Sequence, residues 1–284
     1  MNDAQLKKIT DTFGQVEIHK YIGNIILEHS TNTDHISKFV YKNLNYKKKI
    51  KVADIGCGYG RCIKYLKNII PKESEYIGID PLRNNEVPFQ DKNSQAGFKG
   101  RFLCGGSHRI SDFPENYFDL VLCNYSLYFF IDKLPLIAKH VNSNGLFITI
   151  THSNNSLREL LKDLQKVLKL RHEPTWLELG SEQILDNFSA ENGLGLLTPY
   201  FTKIEKIKYY NNLEFDNNSI NELIDLLNFK KTTLIHHNDY IEYIKTKEFD
   251  DLLKKEITKK IQKYGKYILN KDDVIFHCRK PISK

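Results

Sequence analysis

The order of apolar and polar positions along the chain changes character twice. In the first 45 residues, Ile18, Tyr21, Ile22, Ile25 and Ile26 recur at helical spacing, and Ile36, Phe39 and Val40 do so again. Between them, His29 to Asp34 supplies capping and turn residues, so two amphipathic helices are expected. From residue 50 the runs become short and β-branched. Ile50 to Gly56 reads as a buried strand feeding a tight turn, and Arg61 to Ile70 as a helix stopped by Pro71. Further strands are expected at Glu75–Asp80, Arg101–Cys104, Phe118–Cys123 and Leu146–Thr151, with a helix over Leu134–Val141 and a turn over Asn142–Gly145. Residues 81–99 are polar, contain Pro88 and show little periodicity, so they read as a loop with at most a short helix.

Strands alternate with helices through short connections, which predicts a parallel, doubly wound α/β sheet. Past residue 152 the pattern turns helical. Leu157, Leu160, Leu161, Leu164, Val167 and Leu168 predict an amphipathic helix over Ser156–Leu170. A helix near 181–190, a strand over Tyr200–Tyr210, helices near 219–228, 236–246 and 248–264, and a closing strand over Val274–Cys278 complete the reading. The late helices are expected to cap the sheet.

Composition narrows the setting. Of 284 residues 40% are hydrophobic, enough for a sizeable core, and no stretch has the length of a membrane-spanning helix. The opening MNDAQLKKITDTFGQ lacks a secretory pattern, so a cytoplasmic location is expected. The net charge of +7 is spread over the chain. Its clusters at Lys47–Lys49 and at Lys254, Lys255, Lys259 and Lys260 read as solvated faces, the latter interleaved with Leu253 and Ile257 at helical spacing. Nucleic acid is therefore not the expected partner. Five scattered cysteines without a C-x-x-C pair read as reduced thiols, and no metal site is expected.

The chemistry-bearing segment is Val52-Ala-Asp-Ile-Gly-Cys-Gly-Tyr-Gly-Arg61. Glycines at 56, 58 and 60 after a buried strand let the backbone approach a ligand and turn into a helix. A dinucleotide fingerprint would need a small residue where Arg61 stands. Asp54 would repel a pyrophosphate, yet it suits a ligand that presents an ammonium group. Asp80, about 20 residues beyond the loop, ends the second strand where an acid can accept both ribose hydroxyls. S-adenosylmethionine has that ammonium and that ribose, and no phosphate.

The strand–DIGCGYG–helix unit, the strand ending Ile79-Asp80, and FDLVLCNYSLYFF resemble the class I S-adenosylmethionine-dependent methyltransferases of bacteria, closest to the small-molecule and quinone-type methylases. The likeness covers about residues 50–152. A looser one, to a bacterial subgroup, rests on Phe188-Ser-Ala-Glu-Asn-Gly193, the alternating strand that follows, and Lys271 to Phe276. The resemblance implies a Rossmann-like, mostly parallel seven-stranded sheet with its last strand antiparallel. It also implies an N-terminal helical lid (1–45), a cofactor-binding core (46–152), and a remainder (153–284) that completes the sheet and carries the substrate cap. It places Asp54, Gly56, Cys57, Gly58, Gly60, Asp80, Pro81, Ser107, His108, Asn124 and Tyr125 at the cofactor. The Gly-Asp pair usual after the third strand is Gly106-Ser107 here, and the helix after the ribose acid reads as reduced.

Tyr21, Tyr128, His152 and Trp176 are the candidate acceptor contacts, and His152 and Tyr125 the candidate catalytic groups. His152 follows the fifth strand at the edge where such sheets bind ligands, and histidine is the common general base. The expected product is S-adenosylhomocysteine, the expected acceptor a small molecule, and the expected state a monomer or homodimer. Rival readings are a nucleic-acid methylase, a nicotinamide-dependent dehydrogenase and a non-catalytic binding subunit. The first is weakened because Asn124-Tyr-Ser-Leu127 lacks the Pro-Pro of methylases acting on base amines.

Overall fold

The computed structural model describes residues 10, 13–176, 178, 179, 182–235 and 237–282. Nine strands are present among them: β1 Lys51–Ile55, β2 Glu75–Asp80, β3 Phe102–Cys104, β4 Phe118–Asn124, β5 Val141–His152, β6 Phe201–Tyr209, β7 Asn212–Phe215, β8 Tyr267–Asn270 and β9 Asp273–Pro281. Seven form one sheet in the order β3-β2-β1-β4-β5-β9-β6. The first five are mutually parallel, and β9 runs antiparallel to both β5 and β6. This is the Rossmann-like methyltransferase architecture expected from the sequence. Strand order reverses between β1 and β4, the switch point where such sheets open a crevice at their carboxyl ends.

Alternation along the strands builds two apolar layers. Ala53, Ile55, Val121, Cys123, Phe147 and Phe276 enter one, while Val52, Leu120, Leu122, Ile148, Ile150 and Ile275 enter the other. A third cluster belongs to the cap. There Ile22 and Ile25 of the helix Val16–Glu28 pack with Leu213, Leu226 and Leu253 from β7 and the helices Ile220–Leu234 and Lys247–Tyr264. The amino-terminal helix thus shares its core with the cap. His29 pins its end, with Nδ1 2.8 Å from the Glu214 carbonyl and Nε2 2.6 Å from Glu222 Oε2.

Several local expectations are corrected. Residues 81–99 contain a ten-residue helix, Glu86–Gln95. Pro88 lies in its first turn, where a missing N–H costs no intrahelical bond. Only Phe89 and Asn93 of this helix are buried, so it carries little periodicity. The helix expected over Arg61–Ile70 is regular only over Ile63–Leu66. The expected turn at 142–145 lies inside β5, absorbed by a register shift in which Phe118 pairs with Val141 but Leu120 with Leu146. The helix expected from Ser156 starts later because Leu157 is left-handed (φ 60°), and it is α-helical over Leu161–Val167. Near 236–246 there are only the short helices Asn238–Ile241 and Tyr243–Lys245, and His236 lies outside the described residues. The antiparallel pair β7–β8 was not foreseen.

Gly78 joins the glycine loop to the overlooked helix. A Cβ there would come within 2.4 Å of the Phe89 ring and 2.8 Å of Cys57 Sγ. Gly78→Val should therefore destabilise the protein by about 1–3 kcal/mol, read as a lower urea midpoint; an unchanged midpoint would mean that this packing is loose.

Candidate active site

The register aligns the strand ends. Asp54 pairs with Gly78, Asp80 with Cys104, Asn124 with Ile150, and His152 with Asp273. One cavity of about 550 Å³ opens along this edge, within the roughly 300–1,000 Å³ usual for small-ligand sites. Its roof comes from the amino-terminal segment and the cap, including His19, His35 and Lys230.

At the switch point, Gly56 and Gly58 adopt left-handed conformations (φ 73° and 50°). A Cβ on Gly56 would strike the Ser126 Cβ at 2.4 Å, whereas one on Gly58 would meet nothing within 4 Å. Gly56 is thus required by the protein's own packing, and Gly58 leaves a bare backbone cradle facing the cavity. Gly60 (φ 77°) does not line the cavity; it packs against Ile63 and Phe89.

Two buried acids flank the loop. Tyr76 donates its hydroxyl hydrogen bond to Asp54 Oδ2 at 2.9 Å. Burial pushes the Asp54 carboxyl up to about 7, although the Tyr76 bond opposes the rise. Asp80 accepts from the Gly58 N–H (2.9 Å), the Leu82 N–H (2.9 Å) and the Asn85 side-chain amide (3.1 Å). Burial raises the Asp80 carboxyl too, and those backbone bonds restrain it. Asn124 donates to Cys62 Sγ at 3.2 Å, while its Oδ1 is buried with no partner among the described residues. An acceptor-rich wall of this kind suits a ligand ammonium and a sugar diol.

Cys57, Pro81, Ser107, His108, Tyr125 and Tyr128 also line the cavity. Cys57 is a buried thiol whose pKa burial drives well up, so it is inert there. Arg61 lines the cavity as well, and its guanidinium sits 3.5 Å from where a Gly23 Cβ would be.

The far end is built on β5 and β9. His152 Nδ1 is 2.5 Å from Asp273 Oδ1, the Tyr125 hydroxyl donates to Asp273 Oδ2 at 2.7 Å, and Lys271 Nζ reaches both oxygens at 3.1 and 2.9 Å. Burial, with Lys271 acting in the same direction, brings His152 down to about 4. Burial works to raise the Asp273 carboxyl, but Lys271 and His152 outweigh it and hold it below the usual range. At neutral pH His152 is then a neutral ring that donates from Nδ1 to an ionised Asp273, leaving Nε2 as an acceptor. Tyr125 is itself left-handed (φ 55°), which turns its ring over His152 at a centroid distance of 4.8 Å.

Two candidates lie elsewhere. Tyr21 is 46% exposed, does not line the cavity, and donates to Asp225 Oδ2 at 2.9 Å. It stands at the edge of the buried face of its helix, one turn before Ile25. Trp176 lines a smaller adjoining cavity. Sequence reasoning missed Asp273, Lys271 and Lys230. The Lys271-Asp-Asp273 run before the last strand was the available signal for the first two; Lys230 stands on an ordinary amphipathic helix and had none.

Residues 52–145 match the family model described as a methyltransferase domain. That stretch spans the glycine loop and the parallel strands up to the start of β5, and the fold around it is Rossmann-like. The chain matches no curated protein. Among solved structures, a Bacillus halodurans protein assigned as a methyltransferase aligns over 87% of this chain and 99% of its own, at 11% identity and a TM-score of 0.52. The [4+2]-cyclase SpnF aligns over 96% and 98%, at 12% identity and a TM-score of 0.50. The plantazolicin methyltransferase BamL, solved with a desmethyl analogue and S-adenosylhomocysteine, aligns over 97% and 95%, at 14% identity and a TM-score of 0.47. At these identities the likeness is one of fold. No described helix is long and apolar enough to cross a membrane.

A buried acid raised to about 7 costs stability as pH climbs, because the unfolded chain ionises it near its ordinary value and the folded chain resists. The penalty grows from about pH 4 to pH 7 and then levels off. Asp54→Asn should thus raise the melting temperature of the ligand-free protein more at pH 8 than at pH 5. A gain that does not depend on pH would show that Asp54 ionises freely in the fold.

Proposed function

We propose that this chain is an S-adenosylmethionine-dependent methyltransferase acting on an O, N or C atom of a small-molecule acceptor. The observation that carries the reading is the pairing of Asp54 and Asp80 around a bare Gly58 backbone, with the unpartnered Asn124 Oδ1 beside them. When bound, the cofactor supplies an electrophilic methyl on a sulfonium, a good leaving group.

The chain's own work is then positional. Asp80 accepts the ribose hydroxyls, with Asn85 and two backbone amides holding its carboxylate in place. Asp54 and Asn124 take the amino-acid end, and Ser107 and His108 border the base. His152, aligned by Asp273, accepts a proton from an acceptor that arrives protonated, and Tyr125 fixes Asp273 from the other side. Orientation of the nucleophile in line with the methyl supplies much of the acceleration. A small acceptor is favoured because donor and acceptor must share one cavity of about 550 Å³ beneath the cap.

Calorimetric titration with S-adenosylhomocysteine tests the reading directly. Micromolar binding is expected for the wild type, loss of it in Asp80→Ala, and none for NAD. Preference for NAD would sink the assignment. With an acceptor in hand, His152→Ala should lower kcat by about 10²-fold or more and spare S-adenosylhomocysteine affinity; full turnover would remove His152 from the chemistry.

A further inference from the structure

A side chamber of about 80 Å³ opens off the main cavity beneath the cap. Phe129 and His152 line both spaces, so His152 stands at the mouth. Polarity is divided between mouth and interior. The ionisable side chains described around the chamber, Tyr128, His152, Lys230 and Lys271, all line the main cavity as well. Beyond them the described walls are leucine and isoleucine side chains, among them Leu157, Leu213, Leu226 and Leu234, together with Trp176; Ser156 is the one polar side chain. Leu157 reaches this wall from a left-handed backbone (φ 60°), which a leucine adopts only where its surroundings impose it. Here the Leu157 N–H donates to the Asn270 carbonyl at 2.9 Å. Glu191 holds the preceding turn, accepting from the Ser153 hydroxyl at 2.9 Å and the Asn154 N–H at 3.0 Å. The wall is fixed in place, not slack in the cap.

We infer that this chamber takes a short, neutral hydrocarbon arm of the methyl acceptor, whose nucleophilic atom then lies at the mouth beside His152. The inference rests on the methyltransferase reading for what happens to that atom, and on the chamber walls alone for how the arm is held. Among the described residues the interior offers a ligand only Ser156 as a polar partner, whereas a held water needs two to four. Empty, the walls forgo dispersion contacts that an apolar group restores on entering.

A hydroxyl, an amide or a charged group carried into the interior would lose its water without gaining bonds in return. Charge is therefore confined to the main cavity and the mouth. The chamber selects acceptors by the size and apolarity of the group that carries the nucleophile, and leaves proton transfer to His152.

Trp176 is the only tryptophan of the chain, so its fluorescence reports on the chamber without any need for turnover. Titrating the whole protein with 1-alkanols from butanol to decanol and with 1,6-hexanediol, with and without saturating S-adenosylhomocysteine, decides the question. Affinity should rise about fourfold per added methylene and stop rising before decanol, because the chamber is small. Hexanol should bind at least about tenfold more tightly than 1,6-hexanediol, and S-adenosylhomocysteine should not displace it. Leu226→Phe, which fills the chamber, should weaken hexanol by at least about tenfold and spare S-adenosylhomocysteine. A rise that continues through decanol, equal binding of alcohol and diol, displacement by S-adenosylhomocysteine, or no response from Trp176 would each overturn the inference. So would a folded Leu226→Phe variant that keeps its affinity for hexanol. The wild-type series decides even if the variant does not fold. Failure of S-adenosylhomocysteine to bind, with the chain-length limit and the diol discrimination intact, would overturn the methyltransferase reading and leave the apolar chamber standing.

Discussion

The pairing of β5 with the antiparallel β9 is the constraint on which the site depends. Parallel strands all present their carboxyl ends to the same edge, and here those ends carry Asp54, Asp80, Asn124 and His152. An antiparallel strand brings its first residues to that edge, so a residue at the start of β9 stands directly opposite one at the end of β5. That is why His152 faces Asp273, 121 positions away in the chain. A slip of one residue would turn every β9 side chain to the other face. The buried alternation of Phe276 and Cys278 against Ile275 and His277 forbids it.

Burial at this edge acts on each titratable group, and the hydrogen-bond partners decide which charge survives. Burial, with Asp80 nearby, outweighs the hydrogen bonds to Asp54, so its carboxyl rises; Asp273 has a lysine, a histidine and a tyrosine, so its carboxyl falls. The same fold therefore keeps one carboxyl ready to meet a cation and another permanently charged to orient a ring. Replacing Asp54 by an apolar group of similar size would ease the desolvation cost, whereas replacing Asp273 would leave Lys271 buried without its ion-pair partner.

The core of the fold was legible because its signals are local. β1, β2 and β4 are short apolar runs bounded by turn residues, and the glycine loop needs its left-handed backbone whatever surrounds it. What escaped was set by tertiary context. The helix Glu86–Gln95 hides its identity because only one of its faces, through Phe89, touches the core, and Pro88 reads as a breaker unless its first-turn position is known. β7 and β8 are four residues each and pair across more than 50 positions, too short for periodicity to register. At the site, single-residue signals on strand ends were readable, as with Asp80 and His152. Lys230 gave no sign, because a lysine on an amphipathic helix is ordinarily a solvated one. Tyr21 shows the converse: its helix contributes His19 and Ile26 to the cavity, but its own hydroxyl is taken by Asp225 on the neighbouring helix.

Fold alone does not decide the chemistry, since a [4+2]-cyclase shares this architecture over nearly the whole chain. The question is what the walls prefer once a ligand is inside. A cyclisation of neutral partners needs shape and little charge. This cavity instead invests in buried ionised and ionisable groups at both ends: acids around the glycine loop, and two lysines, a carboxylate and a neutral histidine under the cap. Each carries a desolvation cost that apolar residues would avoid. Such an investment is repaid by a polar, charged guest rather than a neutral hydrocarbon one.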